Sequence, residues 1–408
     1  MRLLVVTAGL LVLPGCRPAS PVPAGQPGPP VVPPPPPCTV RLGYLGPDGV
    51  YYLLDYVALD HMGPQPPVAR PAVRDVAGWV SYSADGRRMA YLGRDDQVHL
   101  ADLATGLRWA VGRPDDPADP VFALSPDGAK VALVEKGTVT IWLAENPTGS
   151  RPAGAKCPKP PTGLAWSPDS KVVAMGTMAA ARDETNDGGV WLLGEAASQP
   201  KRLVAPGPRG EGCSRDLKWS PDGKWLAWAR GYGDGWTGDL ARSGGSDLRR
   251  SAVGAGPREW LPDSRGLIVD LHVEAGAFRG GLYSVRMNKV IPFVTGVIRG
   301  HCLSPDGGTV LVFEAEGSPG GETIDLGSGT GSPWGPEAVI EGAAWVADGR
   351  VPKDEYRFPW RIALAVRDPQ THALRLWFAN RVATRRQKTN LALDPQFGPR
   401  SLRWIDLP

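Results

Sequence analysis

Residues Trp219 to Arg230 read WSPDGKWLAWAR, and near-copies of this stretch recur along most of the 408-residue chain. Each copy contains a bulky apolar residue, a polar turn close to Ser-Pro-Asp-Gly, and a run of apolar residues. Proline fixes φ at the first corner of such a turn, aspartate bonds to nearby backbone, and glycine accepts the left-handed conformation that follows. The stretch therefore predicts a β-hairpin, with the turn between two antiparallel strands.

The copies are spaced at a nearly constant interval. The turn aspartates are separated by 42, 42, 53, 41, 43 and 42 residues, and they are Asp85, Asp127, Asp169, Asp222, Asp263, Asp306 and Asp348. A period near 42 residues, with short runs rich in Val, Leu and Trp between Gly and Pro, is typical of four-stranded propeller blades. We predict an all-β fold, a single β-propeller, in which these aspartates have a structural role in the turns.

The two ends of the repeat region predict how the ring closes. Residues from Arg41 (RLGYLGPDGVYYLLD) align with those from Arg88 (RMAYLGRDDQVHLADL), which are the second and third strands of a blade. The first blade therefore lacks its innermost strand, and Trp404 in the C-terminal SLRWIDLP resembles the tryptophans of the other first strands. We expect the C-terminal strand to complete the first blade and to remove the open edges. This closure gives eight blades, and seven would result if Trp404 only extended the last blade.

The repeated LSPDG and WSPDG turns resemble the WD40-like repeat, also called PD40, of TolB-type β-propellers. The resemblance covers nearly all residues after Cys38. It implies a fold and not a function, because propellers host many unrelated activities. TolB-type proteins also carry an α/β domain before a six-bladed propeller and have no lipid anchor, so a role in the Tol–Pal system is not expected here.

The N-terminus has the pattern of an export signal. Arg2 precedes an apolar run at residues 3–13 that is short for a permanent membrane helix. The run ends in LPGC at Cys16, which resembles the lipobox of bacterial lipoproteins. The resemblance implies a signal peptide at 1–15, cleavage before Cys16 and lipidation of that cysteine. An ordinary secretory signal with an incidental cysteine is the alternative.

A proline-rich segment follows the signal, at residues 16–37. Such a composition favours extended polyproline II and predicts a semi-rigid tether. The propeller is predicted at residues 38–408. Cys157 and Cys213 both precede the first strand of successive repeats, so a disulfide between them is possible in an oxidising compartment, with two free thiols as the alternative.

An extra loop carries the weak candidate for a metal site. Asp183, Thr185 and Asp187 place oxygen atoms at alternate positions, as in a calcium loop. The twelfth position of that loop is Gly194 and not the bidentate glutamate, so a solvated loop is the favoured interpretation. A calcium-stabilised adhesion module would rest on this loop alone.

Catalytic motifs are scarce. The sequence has no Gly-x-Ser-x-Gly elbow, and none of the five histidines forms a close pair with metal-ligand spacing. His301 beside Cys302 is the one pair of interest, and simple packing is favoured for it. No cofactor is predicted, and a net charge of +3 with both signs interspersed gives no reason to expect nucleic acid.

These observations favour a non-enzymatic, lipid-anchored propeller at the periplasmic or extracellular face of the envelope. It would bind the membrane through its anchor and another envelope protein or a ligand through its loops. The alternative is an enzyme, a hydrolase or a cofactor-dependent one, with its site at the channel mouth. Converging His, Asp and Glu would favour the enzyme. The repeats differ most around Asp183 and Arg209, where we expect the function.

Overall fold

The predicted turns from Asp85 to Asp306 each join the first two strands of a small antiparallel sheet. Residues Cys38 to Pro408 form one compact unit, in which the sheets are the blades of an eight-bladed β-propeller. The computed structural model describes residues 40–55, 69–145, 154–177, 189–195, 197, 199–205, 213–232, 235–250, 256–272, 278–293, 298–314, 321–334, 339–346, 361–368, 370–380 and 386–406.

Four blades are built from the N-terminal half of the unit and the last strand of the chain. Blade 1 contains β1 (Val40–Leu45), β2 (Tyr51–Asp55), β3 (Ala69–Val73) and the C-terminal β31 (Arg403–Asp406). Blade 2 contains β4 (Val76–Tyr82), β5 (Arg88–Gly93), β6 (Val98–Asp102) and β7 (Arg108–Gly112). Blade 3 contains β8 (Phe122–Leu124), β9 (Lys130–Glu135), β10 (Thr138–Leu143) and β11 (Ala155–Lys156). Blade 4 contains β12 (Pro161–Trp166), β13 (Val172–Thr177), β14 (Gly189–Gly194) and β15 (Lys201–Val204).

The other four blades follow in chain order. Blade 5 contains β16 (Cys213–Trp219), β17 (Trp225–Tyr232) and β18 (Gly235–Arg242). Blade 6 contains β19 (Gly256–Trp260), β20 (Gly266–His272), β21 (Phe278–Ser284) and β22 (Lys289–Pro292). Blade 7 contains β23 (Ile298–Leu303), β24 (Thr309–Glu314), β25 (Gly321–Asp325) and β26 (Gly331–Trp334). Blade 8 contains β27 (Val339–Trp345), β28 (Ile362–Arg367), β29 (Leu374–Ala379) and β30 (Arg386–Ala392), and the short helix α1 (Gly398–Ser401) precedes β31.

We call the strands of each blade A to D, from the channel outwards. In blade 5 the described residues form strands A to C, and an isolated bridge between Leu240 and Arg249 continues the sheet beyond β18. The B strands are buried along almost their whole length, as in β9 and β28. Each blade packs between two others and covers both faces of these strands, so they read as continuous apolar runs without alternation.

The C-terminal strand completes blade 1, as predicted. β31 pairs with β1 in antiparallel register, with Val40 opposite Asp406 and Leu42 opposite Trp404. Phe378 of blade 8 packs in the same apolar cluster as Leu42 and Trp404. The prediction of eight blades is confirmed, and seven is wrong.

A repeated hydrogen-bond pattern holds the A–B turns. At Ser220 the hydroxyl donates to Oδ1 of Asp222 at 2.6 Å and accepts the N–H of Trp225 at 2.9 Å. Asp222 Oδ1 also accepts the N–H of Lys224 at 3.1 Å, and Gly223 has a φ of 69°. The same serine-to-aspartate bond occurs at 2.5 to 2.6 Å in four further blades, at Ser83–Asp85, Ser125–Asp127, Ser167–Asp169 and Ser304–Asp306.

Two turns carry serine where the others carry glycine. Ser170 and Ser264 have φ values of 60° and 62°, in the left-handed region that favours glycine. Each hydroxyl accepts a hydrogen bond from the preceding blade: the N–H of Asp127 reaches Ser170 at 3.1 Å, and that of Asp222 reaches Ser264 at 3.0 Å. The strain at these two serines is therefore accompanied by a bond between blades that glycine could not form.

Candidate functional site

The tryptophans of the A strands join neighbouring blades along the channel. The Nε1 atoms of four of them donate to a backbone carbonyl of the preceding A strand at 2.9 to 3.1 Å: Trp166 to Ala123, Trp219 to Ala165, Trp260 to Lys218, and Trp404 to Ala344. The pattern is broken at Trp345, whose Nε1 is buried without a hydrogen-bond partner among the described residues. The recurring tryptophans thus have the packing role that their spacing indicated.

The residue before each of these A-strand positions occupies an equivalent place in every blade. It is small in four blades, as Ser81, Ala123, Ala165 and Ala344. In the other four it is Lys218, Glu259, Cys302 or Arg403, in blades 5, 6, 7 and 1. Because alanine serves at this position in three blades, the fold does not require charge there.

One position further back, blades 6 and 7 carry Arg258 and His301, whereas the other blades have apolar residues. We call these six residues, Lys218, Arg258, Glu259, His301, Cys302 and Arg403, the polar sector. Blades 5, 6, 7, 8 and 1 follow one another around the ring, so the sector extends over five of the eight blades, with Lys218 and Arg403 at its two ends.

Two cavities open at the polar sector. One of about 420 Å³ is lined by Glu259, His301, Cys302 and Arg403. The other, of about 840 Å³, is lined by Lys218, Arg258, Glu259 and His301, so the two share the middle of the sector. Prolines of the A–B turns, among them Pro262 in the first cavity, form the rim. The cavities therefore lie at the end of the channel where the repeated turns lie.

Glu259 and His301 face each other across blades 6 and 7. The Oε2 atom of Glu259 lies 3.7 Å from Nε2 of His301. Burial, with the nearby charges of Arg258 and Lys218, lowers the pKa of His301 to about 4, so the imidazole is neutral at pH 7. Partial removal from water also raises the pKa of Glu259, although half of its side chain is exposed to the channel. The positive charges of Lys218 and Arg403 act in the opposite direction and lower this pKa.

The three cations of the sector differ in their partners. Arg258 forms an ion pair with the nearly buried Asp270, with Nη2 and Nε at 2.5 and 2.7 Å from Oδ2. Lys218 and Arg403 have no ion pair and no side-chain hydrogen bond within the described residues, although the Arg403 guanidinium lies 5.9 Å from the ring of Tyr82. The channel mouth thus contains two cations without a carboxylate partner in the described part of the chain.

Cys302 is not prepared to act as a nucleophile. Burial and the charge of Glu259 raise the pKa of its thiol, whereas a nucleophilic cysteine requires a lowered pKa. Successive side chains of a strand point to opposite faces, so His301 is also poorly placed to activate its neighbour. The His301–Cys302 pair gives no thiolate site, and the significant neighbour of His301 is Glu259.

Of the two cysteines of the possible disulfide, the structure describes the side chain of Cys157. Cys157 is a free, buried thiol whose sulfur lies 3.5 Å from Sδ of Met175, inside the apolar cluster between blades 3 and 4. It follows β11, the D strand of blade 3, and packs inward. Several predicted residues lie outside the described residues: Cys16, Asp183, Thr185, Asp187, Asp348, Arg209 and the side chain of Cys213.

Two further findings concern the described residues only. No group of three or more His, Cys, Asp and Glu side chains among them could hold a metal ion. None of their helices has the length and hydropathy needed to cross a membrane.

The polar sector was not predicted from the sequence. Aligning the repeats would have pointed to it, because the residue before each A-strand tryptophan is small in some repeats and charged in others.

No protein-family model and no curated protein matches the chain. Solved structures are similar to it in fold. The dihydro-heme d1 dehydrogenase NirN, in complex with DHE, has a TM-score of 0.57 and 18% identity, covering 87% of this chain and 74% of that one. A eukaryotic initiation factor has a TM-score of 0.55 and 12% identity, covering 90% and 99%. TolB from Acinetobacter baumannii has a TM-score of 0.40 and 13% identity, covering 72% and 63%. At these identities the similarity shows the β-propeller fold alone.

Proposed function

We propose that this chain is a lipid-anchored protein of the bacterial cell envelope whose propeller binds a ligand or a partner protein at the channel mouth. The anchor is supported by the lipobox-like LPGC and by the proline-rich tether that follows it. The binding role is carried by one observation, the polar sector. Charged residues occupy a position that the fold fills with alanine in other blades, and they line two cavities that share Glu259 and His301.

The anchor is tested by metabolic labelling with a radioactive fatty acid. We expect the wild-type protein to be labelled and the Cys16→Ser variant to carry no label, because the sulfur of Cys16 would hold the lipid. Cys38→Ser is the matched control and should be labelled like the wild type. Equal labelling of the wild type and Cys16→Ser would contradict the lipoprotein proposal.

Binding at the channel mouth is tested by photo-cross-linking in intact cells. A photoreactive amino acid is placed at Ala344, which lines the smaller cavity, and separately at Leu107, which is 58% exposed. We expect a defined adduct from position 344 that weakens when Arg403 is changed to Met. The same adducts from both positions, insensitive to Arg403→Met, would count against a site in the channel.

An enzyme in the same mouth is the second candidate, because Glu259 and His301 converge there. Their separation of 3.7 Å is longer than a hydrogen bond, so neither side chain orients the other as a catalytic acid–base pair would require. The thiol of Cys302 is protonated at neutral pH, since burial raises its pKa. The geometry therefore favours binding over acid–base or thiol chemistry.

A further inference from the structure

The charges that line the smaller cavity indicate what the channel mouth could bind, and this step rests on the proposed binding function. Among the described lining residues, the charged side chains are Glu259 and Arg403. His301 is neutral at pH 7 because its pKa is lowered to about 4, and the thiol of Cys302 keeps its proton because its pKa is raised. The described lining therefore combines one carboxylate with one guanidinium and has no net charge.

The carboxylate and the guanidinium stand apart within this cavity. Glu259 belongs to blade 6 and Arg403 to blade 1, with blades 7 and 8 between them in the ring. Arg403 has no ion pair within the described residues, so its guanidinium does not contact the carboxylate. Burial raises the pKa of Glu259 and the charge of Arg403 opposes this rise, so the two charges act on each other across the gap. Such a gap leaves room for a ligand that contacts both groups.

The larger cavity offers no comparable pair. Its described lining contains charges of both signs on neighbouring strands, Asp216 and Lys218 of blade 5 with Arg258 and Glu259 of blade 6. Arg258 is already paired with Asp270. These mixed charges favour no single class of ligand, whereas the smaller cavity presents one group of each sign.

Apolar side chains also line the smaller cavity. They include three tryptophans, two prolines and a leucine, which are Trp260, Trp345, Trp404, Pro262, Pro305 and Leu402. The Nε1 atoms of Trp260 and Trp404 each donate to a backbone carbonyl at 2.9 Å, so these rings offer carbon atoms and no free donor. The volume of about 420 Å³ is within the range of small-molecule sites. A short aliphatic chain with charged ends suits this lining.

From these observations we propose that the smaller cavity binds a small zwitterion, an aliphatic amino acid, with its carboxylate at Arg403 and its ammonium at Glu259. A guanidinium and a carboxylate are groups that form charge-assisted hydrogen bonds with these two ends. A ligand with a carboxylate alone would face the like charge of Glu259, and one with an ammonium alone would face that of Arg403. The zwitterion is attracted by both groups.

The pH dependence follows from Glu259, which must be ionised to hold the ammonium. The groups that face it are Lys218 from β16, His301 and Cys302 from β23, and Arg403 from β31. Lysine and arginine keep their charge throughout, and His301 begins to gain a charge only near its lowered pKa of about 4. Because the pKa of Glu259 is raised, its carboxylate gains a proton as the pH falls towards about 5, and the affinity for the zwitterion should fall in that direction.

The experiment is isothermal titration of the full-length protein in detergent with γ-aminobutyrate and, separately, with butyrate and butylamine. The three probes share one carbon chain and differ only in their charged ends. We expect γ-aminobutyrate to bind about tenfold or more tightly than either half-molecule at pH 7, since each half-molecule lacks one charge-assisted contact. Glycine and ε-aminocaproate, each compared with the acid and the amine of the same length, extend the series to a shorter and a longer separation of the charges.

Variants localise the binding. Arg403→Met should weaken the amino acid about tenfold or more and strengthen the amine, because the like charge that faces the ammonium is removed. Glu259→Gln should weaken the amino acid, strengthen the acid and abolish the pH dependence for the converse reason. A misfolded cavity could produce neither gain. Arg113→Met and Asp96→Asn change the net charge equally at an exposed ion pair beyond β7 and between β5 and β6, and they should have no effect.

Three results would overturn the proposal: no binding of any of the three amino acids at millimolar concentration, a half-molecule that binds as tightly as its amino acid, or equal affinities for the wild type, Arg403→Met and Glu259→Gln. Each is independent of the fatty-acid labelling and of the cross-linking in cells. An anchored protein with a specific adduct at Ala344 but no amino-acid binding would reject the zwitterion and keep the proposed function. Amino-acid binding by a protein that is not lipidated would reject the anchor and keep the site.

Discussion

Removal of residues 401–408 is expected to lower the melting temperature of the propeller by about 10 °C. The deletion takes away β31, the A strand of blade 1, and its pairing with β1. Trp404 is 5% exposed and Ile405 is fully buried, and large-to-small changes at two such positions cost roughly 5–10 kcal/mol together. For a body of this size, 1 kcal/mol corresponds to about 1–2 °C.

The loss extends beyond the strand itself. The hydroxyl of Ser401 accepts the N–H of Leu45 at 2.8 Å, and its carbonyl accepts the hydroxyl of Tyr82 at 2.9 Å, so the deletion also cuts a link from blade 1 to blade 2. The edge of β1 that β31 covers would then be free to pair with other chains. The measurement is thermal unfolding followed by circular dichroism. Deletion of residues 407–408 alone is the control, and an unchanged melting temperature in the longer deletion would show that β31 does not close the ring.

Substitution of Asp239 by Asn is expected to cost about 3–5 kcal/mol of the free energy of unfolding. The Asp239 carboxylate, on β18 of blade 5, is completely buried. It lies 2.8 Å from Nε of Arg230 on the neighbouring β17 and 3.5 Å from Nη1 of Arg250. Arg230 is itself 9% exposed, so neutral asparagine would leave its guanidinium charged and poorly compensated. Urea unfolding with unchanged slope and a lower midpoint would report the loss.

The control for this change is Asp263→Asn. Asp263 pairs with Arg265 at 3.6 Å on the surface, and such exposed pairs contribute roughly 0–1 kcal/mol. A double change, Arg230→Met with Asp239→Leu, removes both buried charges and should recover much of the stability lost in Asp239→Asn. Equal midpoints for Asp239→Asn and Asp263→Asn would show that the buried ion pair contributes no more to the free energy of unfolding than the surface pair.

The fold was predictable because its determinants are local. At Asp222, the proline before it, the glycine after it and the serine two residues before it all act within one turn, so these four residues suffice to predict the turn of the hairpin. Ring closure was predictable as well, since Trp404 repeats a position whose period was already known. β31 and β1 lie near opposite ends of the chain, yet their pairing could be predicted because Trp404 repeats the tryptophan of the other A strands.

The candidate site was harder to predict because its residues are far apart in sequence. Lys218, Glu259 and Arg403 belong to three different repeats, and each looks like an ordinary strand residue by itself. Only the closed ring brings Arg403 to the same cavity as Glu259. The sequence also left open whether Cys157 and Cys213 form a disulfide, because a common place in successive repeats does not set the direction of a thiol. The thiol of Cys157 is free and points into the core.

The serines at the left-handed turn positions have a consequence for engineering. Averaging the repeats of this chain into one consensus blade would put glycine at positions 170 and 264, and the local backbone would relax. The same change would delete the bonds to Asp127 and Asp222 that run from one blade to the next. Repeat averaging would therefore relieve backbone strain within each blade while weakening the contact between neighbouring blades. The two serines should be retained in any redesign.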